Sequence, residues 1–325
     1  MRIIGGELPI NLIPYSVFFT DSGRSSLRLI LRQKQIRDKK IAIPDFICDV
    51  VTKVLEDEDI KFTYYHINEN LEICYETLDK IEYDVLYIIG YFGIKYKIPT
   101  KYIENKILLE DNVFFYDFFN HNNAKLWAGF NSYRKISHLA DGSLLLTNMT
   151  FDAKDIICDN APYSINKYKA KYMKYKYLLE DKRDLNKEKA YLDLFSLAEK
   201  QLYDQKNIYT ISYNSIYNLA KYDYTSSSVI QKKRFNELLN LFDKYCINSK
   251  AEEYSFFVIK IDNREEIIQF LRKKGIYLPI HWPYKGQSPV SNILYEKLIS
   301  IPLFFFYSDE EFEFLKESLI EVVYK

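Results

Sequence analysis

The sequence predicts an α/β protein with a mostly parallel sheet, helices on both faces, and a smaller α+β domain at the carboxyl end. Short apolar runs alternate with amphipathic stretches through the first half, and such runs are typical of parallel strands covered on both faces. Strands that alternate with helices indicate βαβ units. The 325 residues suffice for about two domains, which we place at 1–215 and 216–325.

The predicted elements of the first half follow this alternation. Apolar residues recur at helical spacing in two segments, residues 25–35 and 49–56. Continuous apolar runs bounded by turn residues predict the strands, at 40–44, 61–67, 84–90, 106–111 and 144–147.

The middle and the end of the chain have a different character. Residues 163–205 are rich in Lys, Tyr and Leu and lack Gly and Pro, which predicts long helices. Their lysines indicate either a nucleic-acid helix or, as we favour, a solvated face with tyrosines packed beneath it. Further helices are predicted at 215–219, 229–246, 264–274 and 309–323, and further strands at 253–261 and 277–280.

Composition and charge exclude several classes of protein. Lys plus Arg and Asp plus Glu both number 45, and this zero net charge disfavours a broad nucleic-acid surface. An apolar fraction of 48% excludes a mainly disordered chain. No run of 18 apolar residues and no signal pattern occurs, so we expect no membrane partner and a cytoplasmic location. The four cysteines lack metal-ligand spacing, and we expect no metal site.

A glycine–serine segment, residues 21–27, directly precedes the first predicted helix. Backbone N–H groups at a helix N-terminus attract phosphate, and Gly23 would let an anion approach the backbone. The alternative is an ordinary N-cap provided by Ser22 or Ser25.

Three further segments could carry chemistry. Glu110 and Asp111 end an apolar strand, where carboxylates face the ligand crevice of a parallel sheet, or form an ordinary turn. Lys135 lies in a compact cluster of Ser, Arg and Lys that an Asp-Gly turn at 141–142 follows; the alternative is a solvated lysine. Residues 275–283 are rich in aromatic residues and Pro, and could also be a sheet edge entering a turn.

The order and spacing of these segments resemble the DegT/DnrJ/StrS family of sugar aminotransferases, which are fold-type I enzymes dependent on pyridoxal 5'-phosphate (PLP). Residues 22–27 match the family's SGTxAL, Glu110-Asp111 its EDxAQ, and residues 135–142 its K-x4-GEGG. The chain departs from the family pattern at Arg24, which replaces a threonine, and at Phe114 or Phe115, which replaces a His or Gln. GEGG becomes Ala-Asp-Gly-Ser at 140–143.

The resemblance implies roles for two catalytic residues. Lys135 would carry the cofactor covalently and, once released, move a proton between the substrate Cα and the cofactor. Asp111 would pair with the pyridinium nitrogen. Because a carboxylate beside a cation has a depressed pKa, we expect Asp111 to stay ionised.

The resemblance also implies a set of cofactor-binding residues. Backbone and side-chain donors would hold the phosphate, one aromatic residue would stack on the ring, and others would lie near it. These positions are Gly23, Arg24, Ser25, Phe46, Glu110, Phe114 and Ser132. Phe46 is the candidate for ring stacking.

The function implied is transfer of an amino group from glutamate or glutamine to a keto group of a nucleotide-linked sugar, for surface polysaccharide or a related glycan. A homodimer with shared active sites is expected, with residues 277–284 or the Tyr-rich helices at its interface. The alternative is a catalytically inactive homologue that acts as a binding or regulatory protein. An NAD-dependent nucleotide-sugar enzyme is disfavoured because the sequence has no GxGxxG motif.

Overall fold

A computed structural model describes residues 14–180, 184–282, 288–304 and 306–324. The strands in this part of the chain are β1 (Ser16–Thr20), β2 (Ile41–Pro44), β3 (Phe62–Tyr65), β4 (Val85–Ile89), β5 (Ile107–Asp111), β6 (Leu126–Phe130), β7 (Ser143–Thr147), β8 (Ile156–Ile157), β9 (Ile208–Tyr209), β10 (Phe256–Lys260) and β11 (Leu298–Pro302).

The helices are α1 (Gly23–Leu31), α2 (Asp49–Asp57), α3 (Tyr75–Leu78), α4 (Tyr133–Ile136), α5 (Pro162–Leu178), α6 (Leu185–Asp204), α7 (Tyr213–Ala220), α8 (Tyr224–Phe242), α9 (Arg264–Lys273), α10 (Pro289–Lys297) and α11 (Asp309–Val323). The predicted boundary between residues 215 and 216 falls inside α7 and stays a prediction.

A seven-stranded sheet forms the larger core, in the order β1-β7-β6-β5-β4-β2-β3. The neighbours from β6 to β3 run parallel, whereas β7 runs antiparallel to both β6 and β1. The predicted mostly parallel sheet is therefore confirmed. Because β1 is antiparallel to β7, its carboxyl end lies at the same sheet edge as those of β4, β5 and β6, and this edge carries the site.

A second core lies in the carboxyl-terminal part, where β10 pairs with β11 in antiparallel register. Apolar side chains of α8, α9 and α11 pack there. The strand predicted at 277–280 is wrong: this segment has no regular structure. β10 has β11 on one side and the bridge between Cys246 and Ile259 on the other, and Pro279 has no N–H to donate to a further ladder.

Helices α5 and α6 pack together as a hairpin beside the sheet. Tyr163, Ala170 and Tyr177 are buried at seven-residue intervals on α5, opposite Tyr191 and Ala198 of α6, which also lie seven residues apart.

Of the tyrosines that we expected beneath the lysines of α5, Tyr177 is buried, whereas Tyr172 and Tyr175 are exposed, at 53% and 59%. A two-helix hairpin buries only one stripe of each helix, and Tyr172 and Tyr175 lie off that stripe. None of the described helices combines the length and apolar character needed to cross a bilayer. The described residues also contain no cluster of three His, Cys, Asp or Glu side chains able to hold a metal ion.

Candidate active site

A cavity of about 240 Å³ opens at the carboxyl edge of the large sheet. Its walls come from the β1–α1 turn, the end of β5, the β6–α4 turn and the segment after α9. The polar residues that line it include Gly23, Arg24, Asp111, Ser132, Lys135 and His281. Most of the predicted site residues thus meet in one place, although they are distant in sequence.

Lys135 lies in the short helix α4, whose N-cap is Ser132. Backbone bonds fix this turn: Tyr133 N–H donates to Gly142 O at 3.0 Å, and Lys135 N–H donates to Ser132 O at 2.9 Å. Lys135 Nζ lies 5.6 Å from the centroid of the Phe114 ring. Among the described residues, no carboxylate oxygen lies within 4.0 Å of this amine.

The surroundings of Lys135 favour the neutral amine. Burial lowers its pKa from the usual value of a lysine, and the attraction of Cys48 and Asp111 only partly offsets that effect. A neutral amine is the nucleophilic form, so this lysine is prepared to attack a carbonyl carbon.

Asp111 ends β5 and is buried on the cavity side of the strand. The Tyr87 hydroxyl donates to its Oδ2 at 2.7 Å, and Val113 N–H donates to its Oδ1 at 3.2 Å. Burial nevertheless raises the pKa of Asp111, against the opposing effects of Lys135 and Tyr87. In the chain by itself, desolvation outweighs the attraction of the nearby Lys135; our expectation of a depressed pKa concerns Asp111 beside a pyridinium nitrogen and stays a prediction.

Helix α1 presents a cradle for a phosphate group. Ser22 caps the helix by accepting from Ser25 N–H at 3.2 Å, and the first turn contains no acidic residue. Within the described chain, nothing accepts from the backbone N–H groups of Gly23 and Arg24. We call these two donors the phosphate cradle, since a helix N-terminus with free N–H groups suits a dianion.

Gly23 is needed in this cradle because of its close neighbours. A Cβ added there would lie 3.2 Å from Asn131 O, and 3.5 Å from the Phe130 ring. A side chain at position 23 would therefore crowd Asn131 O, which favours glycine at the start of α1.

Two predicted phosphate ligands have other partners. The Arg24 guanidinium lines the cavity but donates to Leu202 O of α6 at 3.0 Å. Ser25 is buried outside the cavity lining, and its hydroxyl lies 3.4 Å from Gln205 Nε2. Ser132, by contrast, lines the cavity as expected.

The predicted aromatic residues lie behind the cavity rather than in its lining. Phe46 stacks on Tyr91 at 5.7 Å between ring centroids and meets Trp282 edge-on at 5.1 Å. Phe114 is fully buried and stacks on Phe92 at 5.0 Å. Both rings support the residues of the cavity wall, and neither is placed to stack directly on a ligand there.

Glu110 was expected among the cofactor-binding residues, but its side chain lies on the face of the sheet away from the cavity. Side chains alternate along a strand, so it points to the face of β5 opposite Asp111. Its Oε1 accepts from Asn122 Nδ2 at 2.9 Å and lies 3.7 Å from His121 Nδ1. Glu110 therefore belongs to a buried polar cluster behind the sheet and not to the cavity lining.

Several residues that line the cavity had no role assigned from the sequence. His281 lies there with its Nδ1 3.0 Å from Ser300 Oγ. Burial lowers its pKa to about 3, with Lys135 as a smaller cause, so its imidazole is neutral. The aromatic segment 275–283 was the signal for it, although residue 283 lies outside the described residues. Cys48, Arg134 and Trp282 also line the cavity without an assigned role.

The Asp-Gly turn after α4 is held by the start of α7. Asp141 is buried and accepts from Ser212 N–H at 3.0 Å and from Ser212 Oγ at 2.8 Å, at the start of α7. Gly142 has φ +114° and donates to Asp21 O at 2.5 Å. The turn thereby joins α7, α4 and the β1–α1 loop into one scaffold around the cavity.

Comparison with solved structures finds the same architecture in several proteins. DesV of S. venezuelae is 12% identical with a TM-score of 0.63, over 95% of this chain and 85% of its own. A DegT DnrJ EryC1 StrS aminotransferase from Brucella abortus is 13% identical (TM-score 0.60, 94% and 85% covered). Helicobacter pylori PseC, an aminotransferase of pseudoaminic acid biosynthesis, is 12% identical (TM-score 0.59, 94% and 86%).

The chain has the fold of the DegT-type sugar aminotransferases. This result confirms the predicted fold class, that of fold-type I PLP-dependent transferases, and the resemblance at the level of the fold. A scan against protein-family profiles and a search of curated proteins find no match.

Proposed function

We propose that the chain is a PLP-dependent aminotransferase that moves an amino group from glutamate or glutamine to a keto group of a nucleotide-linked sugar. The observation that carries this proposal is one cavity, in this fold, that combines Lys135, Asp111 and the phosphate cradle. We place the reaction in the synthesis of surface polysaccharide or a related glycan.

The residues present fit the cofactor. The phosphate cradle and the Ser132 hydroxyl would hold the phosphate, Asp111 would face the ring nitrogen, and Lys135 would bind the aldehyde carbon. When bound, PLP supplies an electron sink for a carbanion at the Cα of an amino acid. The unpartnered N–H groups of Gly23 and Arg24 are the structural sign that an anion belongs there.

Lys135 would serve twice in the reaction. Its lowered pKa provides a neutral amine for covalent attachment. Once the amino donor displaces it, the same Nζ can accept a proton from the substrate Cα and return it elsewhere on the bound molecule. The aromatic surroundings, with Phe114 beneath the amine, exclude water from this proton transfer.

Asp111 would fix the orientation and charge of the ring nitrogen. Because burial raises its pKa, this carboxyl group needs a cation beside it to stay ionised, and a protonated ring nitrogen is such a cation. Tyr87 holds Oδ2 and Val113 N–H holds Oδ1, so the carboxyl group has a fixed position in the cavity lining.

We propose a homodimer in the cytoplasm as the working form. The hairpin of α5 and α6 exposes Leu178 at 65% and Leu185 at 76%, an apolar surface that a second copy would cover. Residues 283 and 284 of the other predicted interface segment lie outside the described residues. The four cysteines are free thiols, which favours a reducing compartment. Light scattering should give twice the 38.9 kDa chain mass, and Leu185→Glu should lower it.

An absorption spectrum before and after addition of L-glutamate tests the proposed activity. We expect the PLP-loaded protein to show a visible band that borohydride bleaches, and L-glutamate or L-glutamine to convert it to the pyridoxamine form. A protein that takes up no PLP contradicts the proposal. A stable band that neither donor changes would favour the inactive binding protein.

A further inference from the structure

Four cationic side chains lie in the cavity lining or close to it, and the proposed chemistry does not use them. Arg24 of α1 and Arg134 of α4 line the cavity. Lys167 and Lys171 follow on α5, one helical turn apart. We call Arg24, Arg134, Lys167 and Lys171 the cation wall.

One carboxylate faces these four cations. Glu199 Oε1 of α6 lies 3.0 Å from the Arg134 guanidinium and also pairs with Lys167. In the described part of the chain, no second carboxylate lies within 4.0 Å of any cation-wall residue. Arg24 donates only to a carbonyl, Leu202 O. The cluster therefore has a surplus of three positive charges.

This surplus is partly withdrawn from solvent. The side chains of Arg134 and Lys167 are only 20% and 12% exposed. Burial, together with the repulsion of Lys167 and Arg134, lowers the pKa of Lys171 to about 8. Crowded cations of this kind are unfavourable for folding alone, whereas they strengthen charge-assisted bonds to an anion.

The cation wall is separate from the catalytic residues. Arg134 and Lys135 are consecutive on α4, so their side chains diverge by about 100°. Lys135 points to the ring of Phe114, whereas Arg134 points to Glu199 on the hairpin. The phosphate cradle consists of backbone N–H groups, and a cofactor bound there would leave most of the cation wall to another ligand.

We propose that the cation wall is an anion subsite that binds the phosphate groups of a diphosphate-bearing substrate, which displace Glu199 from Arg134 and Lys167. This inference rests on the proposed function for its assignment to the substrate. Three surplus charges match a diphosphate, whereas the carboxylate of an amino donor would neutralise only part of them. Guanidinium groups also bind phosphate oxygens in bidentate geometry.

Titration calorimetry of the PLP-loaded protein with inorganic pyrophosphate tests this subsite, since the loaded cofactor occupies the phosphate cradle. Lys167→Gln should weaken pyrophosphate binding about tenfold. Glu199→Gln should tighten it several-fold, because the competing carboxylate is gone. Lys169→Gln, an exposed lysine on the same helix, is the matched control and should have no effect. Binding should weaken with added salt.

The opposite signs expected for Lys167→Gln and Glu199→Gln separate a subsite from a structural ion pair. If both variants leave pyrophosphate binding unchanged, or if the wild-type protein does not bind it, the subsite is refuted. The same holds if Lys167→Gln weakens binding of L-glutamate and not of pyrophosphate, since the wall would then recognise the donor. If circular dichroism shows that Lys167→Gln does not fold, Glu199→Gln alone tests the subsite: tighter pyrophosphate binding supports it, and unchanged binding refutes it.

The visible band of each sample distinguishes the subsite from the proposed function. If PLP binds normally and the affinity for pyrophosphate is the same in all variants, the subsite is refuted and the aminotransferase proposal remains. If the wild-type chain takes up no PLP but binds pyrophosphate with the expected order of variants, the subsite is supported and the aminotransferase proposal fails.

Discussion

Two regions of the molecule differ in their electrostatics: the floor of the cavity, formed by Lys135 and Asp111, and the cation wall. On the floor, Lys135 and Asp111 are buried, and burial moves the pKa of each toward its neutral form. On the cation wall, Arg134 and Lys167 keep some solvent contact and outnumber their one carboxylate partner. One cavity thus combines buried groups whose charged forms are disfavoured with a neighbouring cluster of unbalanced cations.

Loss of the floor amine should have the largest effect. Lys135→Ala should abolish the visible band and lower transamination about 10⁴-fold, because both the covalent attachment and the proton carrier are gone. The rate of amino transfer from L-glutamate measures this effect, with Lys169→Ala as the control for a lysine removed elsewhere. If the Lys135→Ala protein keeps its visible band and its transamination rate, Lys135 does not carry the cofactor, and the role proposed for the floor is wrong.

The two neighbouring carboxylates of β5 give a sharper test of the floor. Asp111→Asn should lower turnover about 10²-fold while PLP still attaches to Lys135, because the charge opposite the ring nitrogen is lost. Glu110→Gln is the matched control, since its side chain lies on the other face of the strand. Equal losses in both variants would show that the side chains of β5 are not sorted as the structure places them.

The pH dependence of PLP attachment tests the neutral amine. The fraction of neutral Lys135 grows as pH rises, and since burial lowers its pKa, attachment should reach its plateau below the pH at which an ordinary lysine would. A shift of one pKa unit would change the rate about tenfold at a given lower pH. The rate at which the visible band forms, measured from pH 6 to 10, gives this pH dependence. A midpoint at the pKa of an ordinary lysine would contradict the lowered pKa of Lys135.

Tyr87→Phe should have the smallest effect. It removes the hydroxyl that donates to Asp111 Oδ2 at 2.7 Å, so the pKa of Asp111 should rise further and turnover should fall several-fold. The acid limb of the pH–rate profile should move to higher pH, because the carboxylate form then appears later. An unchanged profile would mean that Tyr87 only packs against the carboxyl group.

The sequence predicted the central strands well because they are buried on both faces and therefore read as continuous apolar runs. The edge strand β1 and strand β6, with Gly129 near its end, lack that signal and were not predicted. The apolar segment 277–280 carried a strand signal, but pairing with a neighbour decides strand formation, and β11 already occupies that place.

Within the site, the local motifs placed Gly23, Asp111, Ser132 and Lys135 in the cavity. They did not decide which face of β5 each carboxylate takes, so Glu110 was assigned to the wrong side. Arg24 and the lysines of residues 163–205 had separate sequence signals, but the sequence did not predict the cation wall as one cluster. Its members come from α1, α4 and α5, and Glu199 from α6, and only tertiary packing brings them together.

The most direct test of the central claim is the position of the cofactor on the chain. The PLP-loaded protein would be reduced with borohydride, digested with a protease and mapped by mass spectrometry. We expect the pyridoxyl group on the peptide that contains Lys135, with no comparable modification of Lys167 or Lys171. A modification on another lysine, or none at all, would contradict the assignment of this cavity as a PLP-dependent active site.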